Sequence, residues 1–161
     1  DFEALSLLGN IISSGRTSVL YQKLVEQEKL ALQVAAFNGF PGTRFGSLFL
    51  TLAVPNQGVE LDTLEQRIYD EIEIVKNGSI TQEELDRART NIRAGIIRGL
   101  ANNTGLALNF ASTYMTKGDW RDVFLQLERY NDVTLDDLQR VANKYLIKQT
   151  RTVGATVKAD S

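Results

Sequence analysis

The sequence predicts an α+β domain: an antiparallel sheet covered by helices on one face. Three observations carry this. Apolar residues recur at helical spacing over most of the chain and switch to a period of two in one adjacent pair of stretches and again at the end. The order is helix, helix, two strands, several helices, strand, so the two kinds of element are segregated rather than alternating, which argues against a parallel doubly wound sheet. Finally, 161 residues, 43% of them hydrophobic, suit one domain, residues 1–161, that hides roughly 70% of its unfolded surface.

Taken in order, Phe2, Leu5, Leu8, Ile11 and Ile12 fall at steps of three and four and predict an amphipathic helix ended by Gly15. A second helix is expected from about Thr17 to Glu28. The period then becomes two: Leu30, Leu32, Val34 and Ala36 alternate with Ala31, Gln33, Ala35 and Phe37. The turn "NGFPGTR" leads into "FGSLFLTLAVP", where Leu48, Leu50, Leu52 and Val54 share a face and Pro55 closes the strand. Together these read as a hairpin. Leu61, Leu64, Ile68, Ile72 and Val75 stripe the next helix, ended by Gly78.

Two helix starts have the same grammar. Thr81 is an N-cap with Glu84 three residues on, flanked by the staple pair Ile80 and Leu85; Thr134 repeats it with Asp137, Val133 and Leu138. Helices around Thr104–Thr116 and Trp120–Tyr130 lie between them. "TRTVGATVK" is expected to close the chain as a strand. Because the chain opens inside a helical pattern ("DFEALSLLGNII"), it is expected to be a fragment of a longer polypeptide.

Composition excludes several chemistries. There is no Cys and no His, so a thiolate zinc site, a cysteine nucleophile and a Ser-His-Asp triad cannot be built from this chain. A net charge of −2 offers no broad basic face, so no nucleic-acid partner is expected. No apolar run approaches the ~20 residues needed to cross a bilayer, so no membrane span is expected.

The remaining candidates have plain structural readings. "SSGR" lacks the G-x-x-x-x-G-K-[ST] of a phosphate loop and the G-x-S-x-G of a nucleophile elbow, and reads as a corner between two helices. Glu83, Glu84, Asp86, Asp136 and Asp137 sit in first helical turns, where the dipole favours negative charge. Arg87, Arg89, Arg93 and Arg98 run along one helix and read as a solvated face, with an acidic-partner surface as the rival. Phe110, Tyr114, Trp120 and Phe124 are expected in the core.

"LLGNIISSGRTSVLYQKLVEQEKLALQVAAF" resembles a segment of the pitrilysin/insulinase-like zinc metallopeptidases, which read as a helix, a Gly-rich step, "SRLY", a helix, and "REKEGLAYSV" entering a strand. The likeness continues through "TQEELDRARTNI", "VFLQLERYNDVTLDDLQRVANKYL" and the closing strand, from about Phe2 to Lys158. The resemblance implies two similar α+β domains per half, the first carrying H-x-x-E-H, with zinc activating a water. A chain without His is then the second, non-catalytic domain, one wall of a closed substrate chamber, with zinc held in the N-terminal domain of the parent chain. Its implied partners are that zinc-binding domain or a homologous subunit, and a peptide substrate. Many relatives grip the substrate carbonyl with an Arg and, seven residues later, a Tyr; Val25 and Leu32 stand there, and neither donates a hydrogen bond to an oxyanion. The resemblance therefore leaves Arg16 and Tyr21 as the candidate substrate contacts, no catalytic residue and no metal ligand in this domain, and a partner subunit as the source of the missing pair. The rival readings are a non-proteolytic assembly subunit akin to respiratory-complex core proteins, and an unrelated interaction module.

Overall fold

The computed structural model describes residues 1–156. The elements in chain order are α1 (Phe2–Ser13), a π-helix (Tyr21–Gln27), β1 (Ala31–Phe40), β2 (Leu48–Pro55), α2 (Leu61–Lys76), α3 (Gln82–Gly99), α4 (Asn103–Lys117), α5 (Asp122–Asp132), α6 (Leu135–Tyr145) and a 3-10 turn at Lys148–Thr150. Helices cover one face of the antiparallel β1–β2 ribbon, as the α+β reading requires.

The core forms where α1 lies across β1. Leu7, Leu8 and Ile12 of α1 are buried against Val34 and Ala36 of β1, Leu24 of the π-helix, Leu85 of α3, and Leu138, Val141 and Ala142 of α6. Each fully buried aliphatic side chain contributes about 1.5–3 kcal/mol relative to exposure. The approach of α1 to the sheet depends on a missing side chain: a Cβ on Gly9 would sit 3.1 Å from the carbonyl oxygen of Ala36. One turn on, Ser13 Oγ accepts the Ala36 N–H at 2.5 Å and has the Ala36 carbonyl oxygen at 2.9 Å as an acceptor. One hydroxyl thus pairs both backbone groups of a strand residue that would otherwise be orphaned.

Both capping boxes form. Thr81 Oγ1 accepts from Glu84 N, and Glu84 reaches back to Thr81 N at 2.8 Å. Thr134 and Asp137 do the same for α6. The staple residues Ile80, Leu85, Val133 and Leu138 all join the core cluster.

Three details depart from the sequence reading, and a fourth, which hairpin face points inward, is left open by it. The second helix is wound as a π-helix, with Glu28 N–H donating to Lys23 O at 2.9 Å, one residue beyond α spacing. Helix α1 stops at Ser13, because Ser14 is already extended before Gly15 takes φ +80°. The face shared by Leu48, Leu52 and Val54 points outward; Phe49 and Ala53 pack on the core instead. The register explains this, since buried Val34 and Ala36 pair with Ala53 and Thr51. Arg151–Thr156 carry no strand, and the end of that expected strand, 157–158, lies outside the described residues.

The aromatic residues expected in the core form a surface cluster. Phe110 packs against Trp120 (centroids 4.9 Å) and Phe124 (5.9 Å), yet Trp120 and Phe124 stay partly exposed, and Tyr114 is 62% exposed. Helix α4 buries no residue, so the layer that would cover this cluster is absent among the described residues.

Candidate functional site

The step Ser13–Ser18 between α1 and the π-helix holds the first sequence-predicted site residue. Gly15 at φ +80° turns the chain, a conformation glycine adopts at no steric cost. The corner is braced from the next helix. Buried Ser18 donates from Oγ to Gly15 O at 2.7 Å, and Gln22 Nε2 donates to Arg16 O at 2.6 Å. The backbone of "SSGR" is thus fixed while its cation projects outward.

Arg16 is the most exposed charge of this corner, with 80% of its side chain in solvent. Its Nη2 lies 3.0 Å from Glu26 Oε1, and that hydrogen bond, followed by the field of Tyr21, raises the guanidinium's already high pKa. Such an exposed pair stabilises little; it orients the guanidinium. Tyr21 is half-buried, its ring packed against the core. The structure therefore brings Arg16 and Tyr21 into one neighbourhood, with Glu26 as third member. Val25 also packs on the core, whereas Leu32 is 62% exposed at the bulge between Ala31 and Gln33.

Alongside runs a narrow polar crevice lined by Asn10, Ser14, Thr17, Glu84, Arg87 and Asn91. A larger one, about 140 Å³, opens between α3 and α5, lined by Arg89, Arg93, Leu127, Glu128, Tyr130 and Asn131. Arg89 is committed there: its guanidinium donates to the carbonyls of Asn131 (2.9 Å) and Val133 (2.5 Å), closing the end of α5. Of the basic run, Arg93 and Arg98 are exposed and Arg87 and Arg89 are partly buried.

One charged constellation escapes sequence reading. Arg67 of α2 gathers Glu28 (Nη2–Oε1 2.5 Å), Asp70 (3.1 Å) and Glu71 (3.0 Å). Glu71 is 3% exposed, so the guanidinium supplies the counter-charge that a buried carboxylate needs. The hydrogen bond to Arg67 holds Glu28 below the usual carboxylate range. The i+3 and i+4 acids were visible as helical spacing; Glu28, 39 positions away, carried no signal. Three carboxylates converge here on a guanidinium. No group of three or more His, Cys, Asp or Glu residues able to hold a metal ion occurs among the described residues, and no helix among them is long and apolar enough to cross a membrane.

Comparison with known proteins gives this architecture relatives. Residues 1–92 match the family model described as the peptidase M16 inactive domain. The chain is 32% identical to zinc protease PqqE of Helicobacter pylori over 158 residues, covering 98% of this chain and 35% of that protein. A crystal structure of a Helicobacter pylori protease superposes with a TM-score of 0.80 at 30% identity, over 90% of this chain and 34% of the other. An inactive peptidase domain from Bordetella parapertussis superposes at 0.84 and 29% identity, over 99% of this chain and 85% of the other. A chain of Candida albicans complex III, at 12% identity and a TM-score of 0.71, shares the fold. This chain spans about a third of the length of the curated relatives it matches. Fold and sequence match agree: the chain belongs to the peptidase M16 family, as its inactive domain.

Proposed function

We propose that this domain is the non-catalytic wall of the substrate chamber of a zinc-dependent endopeptidase. Its partner is a zinc-bearing N-terminal domain of the same longer protein, or a homologous subunit, and the substrate is an extended peptide. One observation carries the reading. The corner preceding the π-helix presents an exposed, oriented cation, Arg16, beside Tyr21, in a chain with no imidazole or thiol for bond cleavage. Such a surface can hold a peptide but cannot cut it; water activation falls to the zinc of the partner domain.

Val25 and Leu32 occupy the positions of the family's carbonyl-gripping pair. Val25 is packed on the core and Leu32 is an exposed alkyl group, so an oxyanion would have to find its donors on another subunit.

The test is peptide cleavage by the longer protein, alone and co-expressed with a homologous subunit. Cleavage is expected only with both, and Arg16→Ala should raise KM several-fold while leaving kcat within about twofold, as loss of uniform binding does. Full activity of the longer protein alone would remove the need for a second subunit. Absence of H-x-x-E-H from it would favour the non-proteolytic assembly role.

A further inference from the structure

The outward face of the β1–β2 ribbon is built as an interior surface. Its register pairs are Gln33 with Val54, Ala35 with Leu52, Phe37 with Leu50, and Phe40 with Leu48. Not one of these eight side chains is ionisable. Phe37, Phe40, Leu48, Leu52 and Val54 are 40–59% exposed. An antiparallel strand with one wet face alternates apolar with polar residues, and strands covered on both faces are apolar throughout. Here the inward residues Val34, Ala36, Phe49 and Ala53 are apolar as well, with Thr51 and Asn38 the polar members of that face. Five large side chains, each about half exposed, make a patch of about 400 Å², the size of the largest apolar patch on a typical monomer, which is often functional.

We infer that this face is a permanent interface, covered in cis by the rest of the longer polypeptide. Composition selects the type of partner: permanent interfaces resemble a divided core, rich in aromatic and aliphatic residues and poor in charge. The polar corner at Arg16 has the opposite character. Length selects the source, because two thirds of the curated relatives lies outside the part this chain matches. A two-stranded ribbon is also marginal without further packing. The inference rests on the reading of this chain as one domain of a longer protein, and adds which surface meets the remainder.

The chain has no Cys, so a single introduced thiol reports burial. Leu52→Cys, with Val54→Cys as a second reporter should the first variant fold poorly, is labelled with a maleimide in the full-length protein and in the 161-residue chain. Labelling is expected to be at least about tenfold slower in the full-length protein, independent of protein concentration, because a covered thiol reacts only through local opening. Equal rates overturn the inference. So does protection that appears in the short chain and grows with concentration, which would make a second copy the occupant. Peptide cleavage is read separately: a protected thiol in a protein that cleaves nothing sinks the chamber role and leaves this interface standing.

Discussion

Helices α1 and α4 each carry seven apolar residues, in twelve and fifteen positions, and have opposite fates. Of the twelve residues of α1, seven are buried; of the fifteen of α4, none is. Helix α1 lies where β1, α3, α5 and α6 all meet it. Helix α4 packs mainly on its chain neighbours α3 and α5. It is held by an Asn102 cap on Gly105 N–H, by Asn109 Nδ2 donating to Gly105 O (2.8 Å) and Gly99 O (3.2 Å), and by the packing of Phe110 on Trp120 and Phe124. Composition decides that a helix has an apolar side; the number of surfaces that converge on it decides what burial is worth. The inner layer should therefore carry the global stability, and the α4–α5 flank should open locally below it.

The largest effect tests that contrast directly. Leu8→Ala, at a fully buried position, is expected to cost about 3 kcal/mol or more in urea unfolding, the transfer loss plus an uncollapsed cavity. Leu108→Ala, at a position 65% exposed on α4, should change stability by less than about 0.5 kcal/mol. Equal costs would break the comparison.

Arg67 asks whether the inner layer depends on charge as well as packing. Arg67→Met strands Glu71, a buried carboxylate, and is expected to cost about 3 kcal/mol at neutral pH. A cost below about 1 kcal/mol would mean that solvent already screens Glu71.

Caps give a smaller and sharper comparison, because the same chemistry sits in both regions. Thr134→Ala removes a capping box from α6, whose Leu138, Val141 and Ala142 are core residues, and should lower global stability by about 1 kcal/mol. Asn102→Ala removes a cap of similar strength from α4. Its cost should show as faster amide exchange confined to α4, with the urea midpoint nearly unchanged.

How far the fold was legible follows the same division. The capping boxes and staples were readable because every part lies within five residues. The α1 stripe and the hairpin were readable because their periods are local too. Which face of the hairpin points inward was not, because the bulge between Ala31 and Gln33 resets the alternation and both faces are apolar. The aromatic residues of α4 and α5 misled for the same reason: an apolar residue shows what it would bury, not whether a second layer exists to bury it. At the candidate site, Arg16 and Tyr21 were nameable through resemblance to a family. The brace that fixes Arg16, from Ser18 and Gln22, is made by side chains bonding backbone carbonyls and leaves no period in the sequence.

The smallest expected effect is the acid limb of stability, and it belongs to the inner layer. Asp137 is pulled down to about 2, first by the Thr134 N–H, then by Arg140 and the Thr134 hydroxyl. In the unfolded chain it titrates near the usual 3.9. A folded value below the unfolded one means that the stabilisation is complete above about pH 4 and is lost as pH falls toward 2. The side chain is 36% exposed, so solvent screening reduces the effect to about 1 kcal/mol or less. Asp137→Asn should flatten the stability profile between pH 4 and 2, and Thr134→Ala should flatten it only in part, since the hydroxyl bond is lost while the residue 134 N–H and Arg140 remain. If the wild-type profile has no such limb, the α6 cap contributes through backbone geometry alone, and the inner layer is held by packing and the Arg67 cluster.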